Sequence, residues 1–317
     1  MKAIGGYFEL EISVDKEYHH DLLRLNTARN ALEYLLKAQG FKKVYIPYFT
    51  CDVILEPFYK LDIAFEFYRV NSDFEPIFDF DIIKDDQAFL YTNYFGLKDA
   101  YIQSNYSSIK NLIVDNAQSF FSKPLNHVHT FYSPRKFFGV SDGAYLATDH
   151  KLSERPDADF SNERMSHLLI RADKEAEDGY QDFCLNDQEL SGNAVKTMSA
   201  LTRKIMCSID YEKVKWVRRQ NFEWLHTNLS DKNKLTFNIG DDSVPMVYPF
   251  WTDNKALKKE LLNNRIYCAT YWPNVLKWCN PETLEAKLTE EVIYLPVDQR
   301  YTVDDMNRIL KIINRGI

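Results

Sequence analysis

The chain has 317 residues, 45% of them hydrophobic and 27% charged, and 39 Lys and Arg against 46 Asp and Glu leave a formal net charge of -7. At about 150 residues per domain this length suits two domains, or one large α/β domain with a smaller appendage, and the apolar content excludes a disordered chain or a small disulfide scaffold. The charges are dispersed with no basic stripe, so nucleic acid is not an expected partner, and no run reaches the roughly 18–20 apolar residues of a membrane helix.

In chain order, the apolar stretch at 3–8 ends at Glu9 and is too short for a signal peptide. Over 26–39, Ala28, Ala31, Leu32, Leu35, Leu36 and Ala38 recur at helical spacing, with Asn26 or Thr27 as N-cap and Gly40 as the stop. Short runs rich in β-branched and aromatic residues predict strands at 44–47, 64–70, 88–92, 111–115, 128–133 and 144–148. Several are apolar throughout, and the segments 52–61 and 99–110 are long enough for helical crossovers, which predicts a mostly parallel α/β sheet. Between 149 and 189 the composition turns acidic and polar, so the sheet unit is expected to stop there. Val195, Met198, Leu201, Ile205, Ile209, Val214, Val217 and Leu225 predict one or two long helices over 193–228. Strands at 244–250 and 292–295 and helices at 255–263 and 303–313 then give an α+β pattern. The expected division is a large α/β domain over 1–210 and a small α+β domain over 211–317. Cys51, Cys184, Cys207, Cys268 and Cys279 are odd in number, scattered and never spaced as CxxC, which predicts free thiols and a cytoplasmic protein.

Several motifs lose on context. Gly139-Val140-Ser141-Asp142-Gly143 matches the GxSxG nucleophile elbow, but an elbow needs a helix after it and 144–148 reads as a strand. Asp79-Phe80-Asp81 and Asp157-Ala158-Asp159 have the form of a metal-binding DxD triplet, which chance also supplies among 46 acidic residues. His127 and His129 share a strand face without a third spaced ligand, and neither GxGxxG nor GxxxxGK occurs.

Three features fall in order within the sheet: a capped helix start at 26–31, Asp115 ending an apolar strand, and Ser133-Pro134-Arg135-Lys136 after another strand. Together they suit a phosphorylated, cationic cofactor. A helix N-terminus offers free N–H groups to a phosphate. A strand-end carboxylate points into the ligand crevice of an α/β sheet, where it keeps a pyridinium nitrogen protonated. A lysine in a partly dehydrated pocket becomes a nucleophile, and the Ser133-to-Lys136 spacing lets a hydroxyl bind phosphate while the amine meets the aldehyde of the same cofactor.

These residues resemble the DegT/StrS family of sugar aminotransferases, pyridoxal 5'-phosphate enzymes of fold type I. The resemblance spans nearly the whole chain: Asn26-Thr27-Ala28-Arg29-Asn30-Ala31-Leu32, Ile46-Pro47-Tyr48-Phe49-Thr50-Cys51, Val114-Asp115-Asn116-Ala117-Gln118, Ser133 to Lys136 with Gly143 behind it, Ser191-Gly192-Asn193 with Met198-Ser199, and Leu295-Pro296-Val297-Asp298-Gln299-Arg300-Tyr301. It implies a three-layer αβα PLP-transferase fold with a smaller C-terminal α+β domain. By the same resemblance Lys136 is the internal Schiff-base lysine, Asp115 the partner of the pyridine nitrogen and Gln118 the neighbour of the phenolic oxygen. Ser133, Thr27 and the backbone of Ala28 and Arg29 hold phosphate, and Asn193 reaches the phosphate of a neighbouring subunit, which implies a homodimer. Cys51 lies on the cofactor side, where the family often carries a stacking aromatic, and the chain is shorter than the family between Asp115 and Lys136 and after Asp149.

The activity this implies is amino transfer to the ketone of a nucleotide-linked keto sugar, with glutamate as donor, in surface-polysaccharide synthesis. Two other readings compete: a non-catalytic relative that uses the pocket for binding or regulation, and a metal-dependent glycosyltransferase built on Asp79 and Asp81. Trp251, Trp272 and Trp278 are expected in the core or an interface.

Overall fold

The computed structural model describes residues 4, 6–13, 15–237 and 239–315; Ala3 and Gly5 of the apolar stretch near the N-terminus lie outside them. Eight strands make the main sheet: β1 (Leu23–Leu25), β2 (Lys43–Pro47), β3 (Ala64–Val70), β4 (Pro76–Ile77), β5 (Gln87–Thr92), β6 (Leu112–Asn116), β7 (His129–Tyr132) and β8 (Ala144–Ala147). Their spatial order is β1-β8-β7-β6-β5-β2-β3-β4. Strands β7, β6, β5, β2 and β3 run parallel, while β8, β1 and β4 pair antiparallel with their neighbours. All six strands read from the sequence are present, and the two it did not reveal, β1 and β4, are edge strands of three and two residues.

Helix α1 (Ala28–Gln39) starts where the sequence places it. Thr27, not Asn26, is the N-cap: its hydroxyl accepts from Asn30 N at 3.1 Å, and Gly40 closes the helix at φ 69° with its N–H on Leu36 O. The crossovers contain α2 (Glu56–Leu61) and α3 (Asp99–Asn105). Ala31, Leu32, Leu35 and Leu36 of α1 pack on one face of the sheet, against Val44, Ile46, Ala88, Leu90, Ile113 and Phe131. The alternate residues Tyr45, Phe89, Tyr91, Leu112, Val114 and Tyr132 bury the opposite face. Both faces are therefore covered, which is why the central strands read as continuous apolar runs, and the architecture is the expected three-layer αβα sandwich.

The C-terminal half corrects three expectations. The polar segment 149–189 contains two helices, α4 (Ser166–Asp173) and α5 (Tyr180–Glu189); Leu169, Tyr180, Phe183 and Leu185 are exposed, so no buried stripe marks them in the sequence. The helical stretch expected over 193–228 begins only at α6 (Ala200–Met206) and α7 (Tyr211–Leu229). Residues before it run beside the start of α1, where Asn26 N donates to Lys196 O at 2.9 Å, and Ser199 caps α6 while donating to buried Asp142. Strand β9 (Val247–Trp251) starts three residues later than 244 and pairs antiparallel with β10 (Val292–Pro296). Helices α8 (Leu257–Asn263), α9 (Val275–Trp278), α10 (Leu284–Glu291) and α11 (Val303–Ile313) complete the chain.

Gly143 sits at φ +116° beside the Lys136 turn, and a Cβ there would meet Pro134 Cγ at 3.0 Å, Thr202 Cγ2 at 3.1 Å and Met198 Cε at 3.2 Å. Gly143→Ala is expected to destabilise the fold by about 2–4 kcal/mol, combining backbone strain with overpacking. A urea midpoint equal to that of the parent chain contradicts this.

Candidate functional site

The C-terminal ends of the parallel strands gather the sequence-predicted residues, the place where open α/β sheets bind ligands. Strand β2 leads to 48–51, β5 to 93–96, β6 to Asp115–Gln118, and β7 to Ser133 and one 3-10 turn, Pro134–Lys136. Asp115 is paired in register with Thr92 and Phe131, deep in the sheet, and is 8% exposed. Its Oδ1 accepts from Ala117 N at 2.8 Å. Burial pushes this carboxyl above the usual range, while the Lys136 charge and the Ala117 amide pull it back. Lys136 itself is exposed, with no hydrogen bond or ion pair among the described residues. Its charge also reaches the Cys51 thiol, which burial nevertheless pushes up. Asp115 and Cys51 therefore lie within electrostatic reach of Lys136 although the three come from separate segments of the chain.

Gln118 is 1% exposed: its Oε1 accepts from Phe95 N at 3.2 Å, whereas its Nε2 has no partner among the described residues. A buried amide donor left unpaired costs about 1–3 kcal/mol, so it marks a place where an acceptor is wanted. Ala28 N and Arg29 N, the first two amides of α1, have no acceptor among the described residues. The Thr27 hydroxyl caps its own helix and donates to Asn30 Oδ1 at 2.6 Å. Arg29 turns its guanidinium to Glu56 at 3.1 Å, leaving its backbone as the available donor. Ser133 is 7% exposed, and its hydroxyl has no partner among the described residues. The Asn193 amide donates to Glu189 O at 2.6 Å, and its carbonyl accepts from Asn30 Nδ2 at 2.9 Å and Lys60 Nζ at 2.7 Å, so this segment lies against the start of α1 in its own chain.

The rings of this region pack among themselves. Phe49 is fully buried against Tyr94 at 5.6 Å and Trp272 at 5.0 Å, while Tyr48 stacks on Phe67 at 4.6 Å. Tyr94 Oη donates to Phe49 O at 2.9 Å, and Asn274 Nδ2 donates to Thr50 O at 2.9 Å, so the C-terminal segment grips the loop that carries Cys51. Sequence reasoning missed that grip, as it missed Arg218 and the contact that Gln299 of the C-terminal signature makes behind the Lys136 turn, because the partners are far apart in the chain.

The dismissed motifs have structural roles. Ser141 is fully buried, its hydroxyl points to the Met165 sulfur at 3.3 Å, and strand β8 follows, so no elbow forms. Asp79 Oδ1 accepts from Asp81 N at 3.1 Å and caps the turn Phe80–Ile82. His127 is exposed beside Asp149 at 3.5 Å, and His129 contacts Gln39 at 2.8 Å. Among the described residues no group of three His, Cys, Asp or Glu side chains is placed to hold a metal, and no helix is long and apolar enough to cross a membrane.

The fold is that of the PLP-dependent transferases of fold type I. Solved structures share it over most of the chain. An aminotransferase, TlmJ, from Streptoalloteichus hindustanus is 14% identical with a TM-score of 0.64, covering 93% of this chain and 85% of that one. NtdA from Bacillus subtilis, solved with bound cofactor PMP, is 13% identical with a TM-score of 0.65 over 93% and 73%. A DegT DnrJ EryC1 StrS aminotransferase from Brucella abortus is 15% identical with a TM-score of 0.61 over 93% and 85%. No family model and no curated protein matches the sequence.

Proposed function

We propose that the chain is a pyridoxal 5'-phosphate-dependent aminotransferase of the DegT/StrS type, acting on the ketone of a sugar. The observation that carries this is that the charge of an exposed Lys136, in the turn after β7, reaches the buried Asp115 on the neighbouring β6. The residues present fit the cofactor: among the described residues the Gln118 Nε2 lacks an acceptor and the Asp115 carboxylate lacks a hydrogen-bonded cation, and the Ala28 and Arg29 amides and Ser133 hydroxyl are available to a phosphate. Pyridoxal phosphate, when bound, supplies an electron sink for negative charge developing on a carbon next to an amine nitrogen.

Each of the chain's own groups then has a task. Asp115 keeps a proton on the ring nitrogen, because a buried carboxylate gains most from a cation brought against it. Gln118 Nε2 would donate to the phenolic oxygen of the cofactor. The α1 N-terminus and Ser133 anchor the phosphate, with the Thr27 cap fixing the helix start. Lys136 Nζ takes the proton from the donor's α-carbon and delivers it onward, as a positioned general base and acid. Cys51 borders this space as a neutral thiol.

The finer substrate reading is a nucleotide-linked keto sugar aminated at the expense of glutamate for surface-polysaccharide synthesis. It is supported by the likeness of the fold to solved sugar aminotransferases. A homodimer, in which Asn193 would exchange its Glu189 contact for the partner's phosphate, and a cytoplasmic location complete the proposal. The test is the visible spectrum with added pyridoxal phosphate before and after borohydride. A yellow species fixed covalently at Lys136 is expected, and a colourless chain at saturating cofactor rejects the reading.

A further inference from the structure

Behind the Lys136 turn lies a fully buried cation. Arg218 on α7 is 1% exposed, yet among the described residues no carboxylate touches its guanidinium. Its Nε donates to Gln299 Oε1 at 2.8 Å, its Nη1 to Pro245 O at 3.3 Å and Met246 O at 3.2 Å, and its Nη2 lies 3.5 Å from Phe137 O. The guanidinium also covers the Phe137 ring at 4.5 Å. Burial pushes Arg218 down to about 10, while Asp298, itself ion-paired with Arg300 at 2.7 Å, pulls it back. A buried charge held by neutral acceptors is costly, so the contacts it makes are worth examining for a role beyond packing.

Those contacts converge on the residue after Lys136. Gln299 receives Arg218 on one end of its amide and with the other donates to Phe137 O at 2.7 Å. Phe137 N donates to Pro134 O at 2.9 Å, which closes the turn from the other side. The Phe137 side chain, 3% exposed, is held by the guanidinium above it. Its N–H, its carbonyl and its ring are thus all fixed. Because Phe137 joins Lys136 through a planar peptide, holding Phe137 fixes the position of the Lys136 Cα, and the 3-10 turn Pro134–Lys136 sets the direction of its Cβ.

We propose that Gln299, oriented by Arg218, is a positioning residue that sets the direction in which Lys136 leaves its turn and hence the reactivity of its amine. The proposal deepens, and rests on, the reading of Lys136 as the reacting amine. It also gives the C-terminal signature segment a task at the site: the segment reaches Lys136 through a backbone carbonyl.

The experiment uses Gln299→Met, which keeps the side-chain length and loses the donor, and Gln299→Glu, which keeps an acceptor for Arg218 and also loses the donor. In the cofactor-free chain, trace acetylation with mapping by mass spectrometry reads the rate at Lys136 relative to Lys123 and Lys151. Both variants should change that ratio by about 3-fold or more, a small part of the 10²-fold that ~1 Å of misplacement can cost. With pyridoxal phosphate added, the pH midpoint of the visible band should move in the same variants. If melting temperature falls while the labelling ratio and the midpoint stay at parental values, Gln299 is only a structural strap and the proposal is overturned. A parental chain that never develops a band rejects the cofactor reading instead, and the labelling ratio still decides whether Gln299 positions Lys136.

Discussion

Lys136→Ala is expected to lower amino-transfer turnover by roughly 10³–10⁴-fold, the range in which a positioned acid–base group is removed. The same substitution should leave no product that borohydride can fix to the chain, and peptide mapping of the parent should find the reduced adduct on Lys136. The basis is geometric. Lys136 lies in a single 3-10 turn after β7, and Asp115, whose buried carboxyl feels its charge, lies at the end of the neighbouring β6. Exogenous amines should restore part of the rate, since the loop leaves the position open to solvent. A variant that keeps more than about a tenth of the parental turnover assigns the proton transfer to another group and leaves Lys136 no role in catalysis.

The substitution has a second consequence that a solvated lysine would not produce. Lys136 draws the Asp115 carboxyl down against burial, so its loss leaves that carboxylate with the Ala117 amide as its remaining stabiliser. The cofactor-free Lys136→Ala chain should therefore unfold at a lower temperature than the parent, and adding Asp115→Asn to it should recover the loss. Coupling between the two positions in that cycle measures their interaction directly.

The sheet was legible because burial on both faces writes itself into sequence as continuous apolar runs, and β2, β5 and β6 are such runs. Thr27 and Gly40 were legible because helix caps use few residue types. Asp115 and Lys136 stood out because a charged residue at the end of an apolar strand is unusual. The grip on their loops was invisible. Gln299 binds a carbonyl 162 residues away, and Asn274 one 224 residues away, and a backbone acceptor leaves no mark on the sequence. Helices α4 and α5 were hidden for a different reason, since Leu169, Tyr180, Phe183 and Leu185 face outward and leave no stripe to read.

Asp115→Asn should separate stability from activity in opposite directions. Asn retains an oxygen for the Ala117 amide, now held at 2.8 Å, but carries no charge. The sign follows from burial: the folded carboxyl lies above its unfolded value, so between those two values the folded state binds more protons than the unfolded state, and stability falls as pH rises. Above the folded value the full penalty remains, partly offset by Lys136. Removing the charge at neutral pH should raise the melting temperature of the cofactor-free chain, at about 1.5 °C per kcal/mol for a chain of this length. The gain should vanish in acid, where the parental carboxyl is protonated as well. Turnover should move the other way, by about 10²-fold or more, because a neutral amide cannot hold a proton on a ring nitrogen by charge. Saturating cofactor should reverse the stability order, since the bound cation would give the parental carboxylate the partner it lacks. Melting curves of both chains at pH 4 and pH 7.5, with and without pyridoxal phosphate, test all three signs. A carboxylate that stabilises the empty chain at neutral pH would place Asp115 among ordinary structural acids.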